Sequence, residues 1–370
     1  MRNFNVTANA AQGAVRRLAS GLGHRLHLAR EAEFWLGELE PTWSLRDVRA
    51  RVVAVVPETS DAKTFVLRPN RAWRRHLAGQ HTTVEVEIDG VRARRCYSIS
   101  SAPGDLPAIT VKRAPGGRVS GWLHDHLRPG HVLRLTAPEG DFVLPRPTPS
   151  KLLLLSGGSG ITPLASMLRE LAERGPIVDL AFAHCARSAD QVIFRRALDE
   201  LATRHPGLRL LLFLGEGASS PGRFDEAKLR SLVPDFAERE TFLCGPPGLM
   251  RRVERLWAGA GAAHRLHVER FAPDGVPPRP ANAEPASAHT VRLTRSRRSF
   301  AAGSGTLLEQ LERAGERPPF GCRMGICKTC RCRKATGAVE NVLTGAVSSA
   351  ADEDIQPCIS IARSDLELCL

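Results

Sequence analysis

Four cysteines toward the C-terminal end constrain this chain more than any other feature. In the stretch PFGCRMGICKTCRC, Cys322, Cys327 and Cys330 stand at C-x4-C-x2-C spacing, and Cys358 follows 28 positions after Cys330 in IQPCIS. Two irons bridged by two sulfides need four thiolates, two per iron. A tight loop supplying three of them and a distant segment supplying the fourth is the plant-type [2Fe–2S] arrangement. A zinc knot is the competing reading, but zinc sites usually draw on paired C-x2-C knuckles and only one such pair is present. Gly321 and Gly325 give the loop the freedom to turn backbone N–H groups toward sulfur.

A chain of 370 residues has room for two or three domains. It contains no apolar run long enough to span a bilayer and no secretory h-region, so a cytoplasmic protein is expected. Nine cysteines is an odd number. Beyond the cluster pattern they are scattered (Cys96, Cys185, Cys244, Cys332, Cys369), which also suits a reducing compartment. The formal charge of +13 is open to an anionic membrane, an acidic protein partner or nucleic acid. No nucleic-acid-binding motif accompanies it, so no nucleic-acid partner is expected.

The chain divides by pattern. Residues 1–46 form a basic extension in which Val15, Leu18, Leu22 and Leu26 recur at helical spacing among arginines, followed by the apolar anchors Phe34, Trp35, Leu36 and Trp43. Peripheral contact with the inner membrane face and a plain helix packed on the next domain are both open for it. Residues 47–148 carry six short strands rich in Val, Ile and Thr, the pattern of an antiparallel barrel. One helix interrupts them, read as Ser120–Leu127 with Ser120 as its N-cap. Residues 149–271 alternate buried strands with amphipathic helices, which implies a doubly wound parallel sheet. Residues 272–288 are a Pro- and Ala-rich linker. Residues 289–370 form a third, mixed domain around the cysteine loop. The fold class is thus multidomain, α+β and α/β.

Five short motifs lie upstream of the cysteines. RCYS places Arg95, Tyr97 and Ser98 at a strand end, with an aromatic face to stack on a flavin, a hydroxyl for its N5 region and a guanidinium for pyrophosphate. Glycines ahead of a helix, as in GGRVS and GGSGITP, make phosphate cradles, with Gly158 and Gly160 letting backbone approach a dinucleotide. LCGPP sets Cys244, Gly245 and Pro246 beyond a strand's carboxyl end, beside a nicotinamide. HVERF offers Glu269 or Phe271 to the flavin. Each motif alone also fits an ordinary surface strand, turn or core thiol.

Taken in order, these motifs resemble the ferredoxin–NADP reductase superfamily, in the branch with a plant-type ferredoxin fused at the C-terminus, over roughly residues 47–370. AGQ at Ala78–Gln80 looks like that family's barrel-strand signature. The resemblance implies an antiparallel β-barrel FAD domain, an NAD(P) domain and a β-grasp ferredoxin domain. It implies an NAD(P)H-dependent oxidoreductase passing electrons from nicotinamide through FAD to the cluster. Tyr97 would be the flavin platform, Ser98 the N5 partner, Cys244 the nicotinamide neighbour and Glu269 its tuner. FAD phosphates would meet Arg95, Lys112, Gly117, Val119 and Ser120. The dinucleotide would meet Gly158, Gly160, Thr162, Pro163, Gly245 and Pro246, with Phe271 nearby. Arg187, Ser188 and Arg223 would hold a 2′-phosphate, which favours NADPH; NADH stays open because Asp190 is close by. Within the branch, FWLGELEPTWSLRDVRARVV, CRMGICKTC and TGAVENVLTG resemble reductases that serve bacterial membrane di-iron fatty-acid desaturases. A soluble Rieske or di-iron hydroxylase partner is the alternative, and a non-catalytic redox sensor a third reading. Arg323, Lys328 and Arg331 mark the face where the acceptor protein would dock, with simple solvated charge as the plainer reading. Lys328 departs from the family, which has a neutral residue or histidine there.

Overall fold

Alternation of buried and exposed residues along Val48–Thr59 puts Val48, Ala50 and Val52 into an interior that five further strands close. The computed structural model describes residues 35–215, 224–271, 289–321, 323, 325 and 328–370. The barrel sheet runs β4-β3-β6-β1-β2-β5, all antiparallel, from β1 (Val48–Thr59), β2 (Ala62–Pro69), β3 (His81–Ile88), β4 (Val91–Ser98), β5 (Ala108–Lys112) and β6 (Val132–Leu135). Helix α1 (Arg118–His126) drops Val119 and Leu123 into the same core. It begins earlier than its sequence suggests. Gly117 is the N-cap, and Ser120 lies inside the first turn, its hydroxyl accepting from Ala114 N–H at 3.2 Å and donating to the Gly117 carbonyl at 3.3 Å. Of the expected N-terminal anchors, Leu36 is buried but Trp35 is 63% exposed; residues 1–34, with the basic helix and Phe34, lie outside the described residues.

The second sheet is wholly parallel, ordered β11-β10-β7-β8-β9 from β7 (Leu152–Gly157), β8 (Leu180–Ala186), β9 (Leu208–Leu214), β10 (Glu240–Cys244) and β11 (Leu266–Glu269). Its apolar runs are buried on both faces, as covered parallel strands require. Helices α2 (Ile161–Arg174) and α3 (Arg195–Arg204) serve one core, while α4 (Glu226–Leu232) and α5 (Pro247–Gly259) serve the other. The order reverses between β7 and β10, so the carboxyl ends of these two strands flank the crevice where an open sheet binds ligands. Barrel and sheet share packing. Phe142 and Leu144, from the connection after β6, join the α2 core, and Phe142 meets Phe242 edge-on with ring centres 5.6 Å apart. The Ser166 hydroxyl of α2 donates to the Ser101 carbonyl at 2.6 Å.

The last unit carries a sheet of β13-β12-β19-β14-β17 and a small one of β16-β15-β18, from β12 (Thr290–Leu293), β13 (Ser299–Ala301), β14 (Cys332–Thr336), β15 (Val339–Asn341), β16 (Val347–Ser348), β17 (Glu353–Ile355), β18 (Ser360–Ala362) and β19 (Leu366–Leu368). Helix α6 (Leu307–Arg313) starts from a capping box between Thr306 and Glu309 and buries Leu307, Leu308 and Leu311. Lys334 is fully buried, and its ammonium donates to the Gly337 and Ser348 carbonyls and pairs with Glu353 at 3.1 Å. Three partners satisfy the charge that burial strands.

Candidate functional site

The switch point between β7 and β10 opens into a cleft of about 620 Å³ lined by Gly158, Gly160, Arg187, Gly245, Pro246 and Phe271, with Lys112 reaching in from β5. The helices that open onto the cofactor motifs are α1, α2 and α5. None has a side-chain cap or an acidic residue in its first turn. Their first N–H groups and dipole ends are left open to an anion, as are those of α3 outside the cleft, whereas α4 and α6 are capped by their own Asp225 and Thr306. A dinucleotide pyrophosphate suits this donor set.

Glycine at position 160 is a packing requirement. A Cβ there would stand 2.5 Å from the Cys244 carbonyl carbon and 2.7 Å from the Gly245 nitrogen, so only glycine lets the start of α2 close on the end of β10. Gly158 sits at φ 53° with open space around it and is the position that frees backbone toward the cleft. Thr162 and Pro163 are buried in the first turn of α2, the Thr162 hydroxyl donating to the Ser159 carbonyl at 3.0 Å. The Ser188 hydroxyl donates to Asp190 at 2.6 Å; Arg223 lies outside the described residues. Arg252 lines the same cleft, and the sequence reading missed it. Its signal was present: Gly248 opens onto the cleft, and a residue four further along a helix shares its face.

On the barrel side, Tyr97 packs half-buried on the core, and burial raises its phenol above the usual range. Ser98 is buried next to it and Arg95 is half-buried on the same strand. Lys112 is held by Asp61 at 3.2 Å. Two assignments shift position. Cys244 is fully buried, which pushes its thiol up, so its side chain is not at the surface of the nucleotide cleft. Glu269 pairs in register with Cys244 but lines a second cleft, of about 710 Å³, between the barrel and the cluster loop. Strand β11 runs between the two clefts, so Glu269 meets one and Phe271 the other. Burial, with the Asp141 charge adding to it, pushes the Glu269 carboxyl up to about 7.

His184 sits at the floor of β8, fully buried, its Nδ1 2.8 Å from the Ser156 hydroxyl and its Nε2 without a hydrogen-bond partner. Burial lowers it from 6.5 to about 4. A depressed folded value means stability held above the unfolded value and lost as pH falls from 6.5 toward 4. The full effect is about 3 kcal/mol. Denaturation midpoints at pH 7 and pH 4.5 are expected to converge in His184→Gln relative to the wild-type protein; an equal drop in both would remove His184 as the cause.

In the ferredoxin unit the Cys330 and Cys358 sulfurs stand 3.2 Å apart, buried among Leu308 and Ile359. That is well beyond a disulfide bond, and as thiolates the two would hold part of a [2Fe–2S] cluster. Cys322 and Cys327 lie outside the described residues. Gly325 has φ 78°, and a Cβ there would meet the Ile359 side chain at 2.7 Å. The Gln356 amide donates to the Gly325 carbonyl at 2.7 Å. Among the described residues, Cys330 and Cys358 supply two of the four thiolates that the cluster needs. Bound in these places, a flavin supplies the conversion of a two-electron hydride into the single electrons that a [2Fe–2S] centre takes.

Of the three cations expected to greet an acceptor, two are neutralised at home. Arg323 is bidentate to Glu312 at 2.9 and 2.5 Å and lies over Phe320 at 4.1 Å, and Arg331 pairs with Asp354 at 2.5 Å. Lys328 faces the second cleft, toward the barrel.

Comparison with known proteins matches this geometry domain by domain. The chain matches the oxidoreductase FAD-binding domain over residues 50–144, the oxidoreductase NAD-binding domain over 154–255 and the 2Fe-2S iron-sulfur cluster binding domain over 291–363. An NADPH oxidoreductase of Mycobacterium tuberculosis is 38% identical over 335 residues, covering 89% of this chain and 86% of that protein. The glycine betaine monooxygenase reductase subunit of Pseudomonas aeruginosa is 36% identical over 356 residues, covering 88% and 96%. Phthalate dioxygenase reductase shares the fold with a TM-score of 0.61 at 24% identity, over 88% of this chain and 98% of that one. Domain order, cofactor clefts and full-length relatives agree: the chain belongs to the ferredoxin reductase-type NAD(P)H-dependent oxidoreductases, with FAD- and NAD-binding domains followed by a C-terminal [2Fe–2S] ferredoxin domain.

Proposed function

We propose that this protein is the reductase component of an oxygenase, drawing electron pairs from NADPH and delivering single electrons from its cluster to a separate Rieske-type or di-iron oxygenase component. The observation that carries the reading is the likeness, over 88% of this chain and 96% of that protein, to a glycine betaine monooxygenase reductase subunit. The Mycobacterium relative's name specifies NADPH and no acceptor. A membrane di-iron fatty-acid desaturase, with residues 1–46 touching the bilayer, is the second reading and rests on the sequence motifs alone. No helix among the described residues is long and apolar enough to cross a membrane.

Two assays separate these partners: NADPH-dependent product formation with a purified Rieske oxygenase component in solution, and with a di-iron desaturase in anionic liposomes. The oxygenase reading expects turnover in the first assay and little in the second. Turnover confined to the liposomes, and lost on deleting residues 1–46, would establish the desaturase reading instead.

Arg187 and Arg252 support NADPH, since both line the nucleotide cleft and a 2′-phosphate is recognised through guanidinium forks. Arg187→Gln and Arg252→Gln are each expected to raise the KM for NADPH about ten-fold, one lost charge-assisted hydrogen bond, with the KM for NADH nearly unchanged. Dye-reduction kinetics with both nucleotides check this; equal effects on the two would assign these arginines to the shared pyrophosphate.

A further inference from the structure

The second cleft separates two halves that have to exchange electrons, and its walls are of opposite charge. The reductase wall presents Glu139, Asp141 and Glu269, and the ferredoxin wall presents Gly325, Lys328 and Leu343. None of these three carboxylates, nor Lys328, forms an ion pair within 4.0 Å among the described residues. Arg270 and His267 of the cleft are engaged, with Glu254 and with Glu240 at 2.6 Å, and the remaining basic side chain of the lining, His81, is buried. The neighbouring cluster-loop cations are engaged as well, Arg323 with Glu312 and Arg331 with Asp354. Lys328 thus carries the loop's uncompensated charge, and the carboxylates opposite carry the reductase's. Burial and mutual repulsion already work against ionised Glu269 beside Asp141, a cost that an ammonium placed between them removes.

We infer that Lys328 is a positioning residue for the flavin-to-cluster step. Closure of the cleft sets its ammonium against the carboxylates of Asp141 and Glu269, and this docks the cluster loop on the barrel. Complementary charge steers such an encounter and fixes its register, and salt weakens it. The inference rests on the internal relay of the family and not on the identity of the acceptor.

Zero-length carbodiimide coupling of the holoprotein at low salt, followed by peptide mass mapping, reads the docking without any turnover. The expected product joins Lys328 to Asp141 or Glu269 and diminishes at high salt. The exposed Lys151–Glu238 pair, 2.9 Å apart, serves as the coupling control. Coupling at Lys151 without any at Lys328 would overturn the inference. Stopped-flow reduction by NADPH gives the second readout. Lys328→Glu is expected to slow cluster reduction about ten-fold while flavin bleaching keeps its rate, and Lys328→Glu with Asp141→Lys to recover most of the loss. Asp141→Lys alone leaves the cluster loop intact and is expected to slow the same step. Wild-type cluster reduction in both single variants, at full iron and flavin content, would show that Lys328 positions nothing. Failure of the relay itself would look different, because the wild-type cluster would then stay oxidised.

Discussion

Cys358→Ala is expected to abolish the [2Fe–2S] absorbance while flavin reduction by NADPH keeps its wild-type rate. The thiol is buried 3.2 Å from Cys330 in a pocket formed with the apolar side chains of Leu308 and Ile359. Cys332 is two residues from Cys330 but faces the opposite core, with Val291, Leu307 and Leu368. It cannot turn to the cluster without inverting strand β14. With one iron short of a thiolate, electron delivery to any acceptor protein should fall by at least about 100-fold, more than loss of a supporting residue costs. Iron content, visible spectra and single-turnover flavin bleaching separate the two halves of the relay. Normal iron content in the variant would refute the ligand set.

Gly160→Ala should act at the other end of the chain. The new methyl would stand 2.5 Å from the Cys244 carbonyl carbon and 2.7 Å from the Gly245 nitrogen, both backbone atoms with no rotamer to yield. Either α2 or the β10 turn has to move. Overpacking of this kind costs about 1–3 kcal/mol. A shift of about 1 Å at a hydride-transfer geometry slows chemistry roughly 100-fold. Gly259→Ala is the control: it lies at the exposed end of α5, outside the cleft, and its Cβ meets nothing within 4 Å. Flavin bleaching by NADPH should therefore collapse in the first variant and persist in the second. Similar rates in both would mean that the α2–β10 junction does not set the cleft.

Gly158 and Gly160 show what the sequence could and could not say. The motif GGSGITP fitted a phosphate turn and a plain glycine turn alike, and its order among the other motifs favoured the first. It could not say that one glycine frees the turn while another makes room for Cys244. Strands and helices were legible from their periods, which are local. Helix starts were less so: Ser120 has the chemistry of an N-cap, yet Gly117 holds that place and Ser120 bonds back to it. The larger misses concern which surface a residue faces across domains. Glu269 was expected at the nicotinamide and lies in the cleft beside the cluster loop, since β11 ends between two clefts. Arg323 and Arg331 looked free along the chain, but their partners Glu312 and Asp354 come from α6 and β17. The [2Fe–2S] domain was the most legible part, because iron–sulfur geometry leaves little freedom in cysteine spacing.

Anaerobic spectral titration of the full-length holoprotein with NADPH tests the one-chain relay most directly. The relay predicts that flavin and cluster bands bleach together as NADPH is added, taking up about three electrons per chain, two at FAD and one at the cluster. A flavin that bleaches while the cluster stays oxidised through excess NADPH would contradict it.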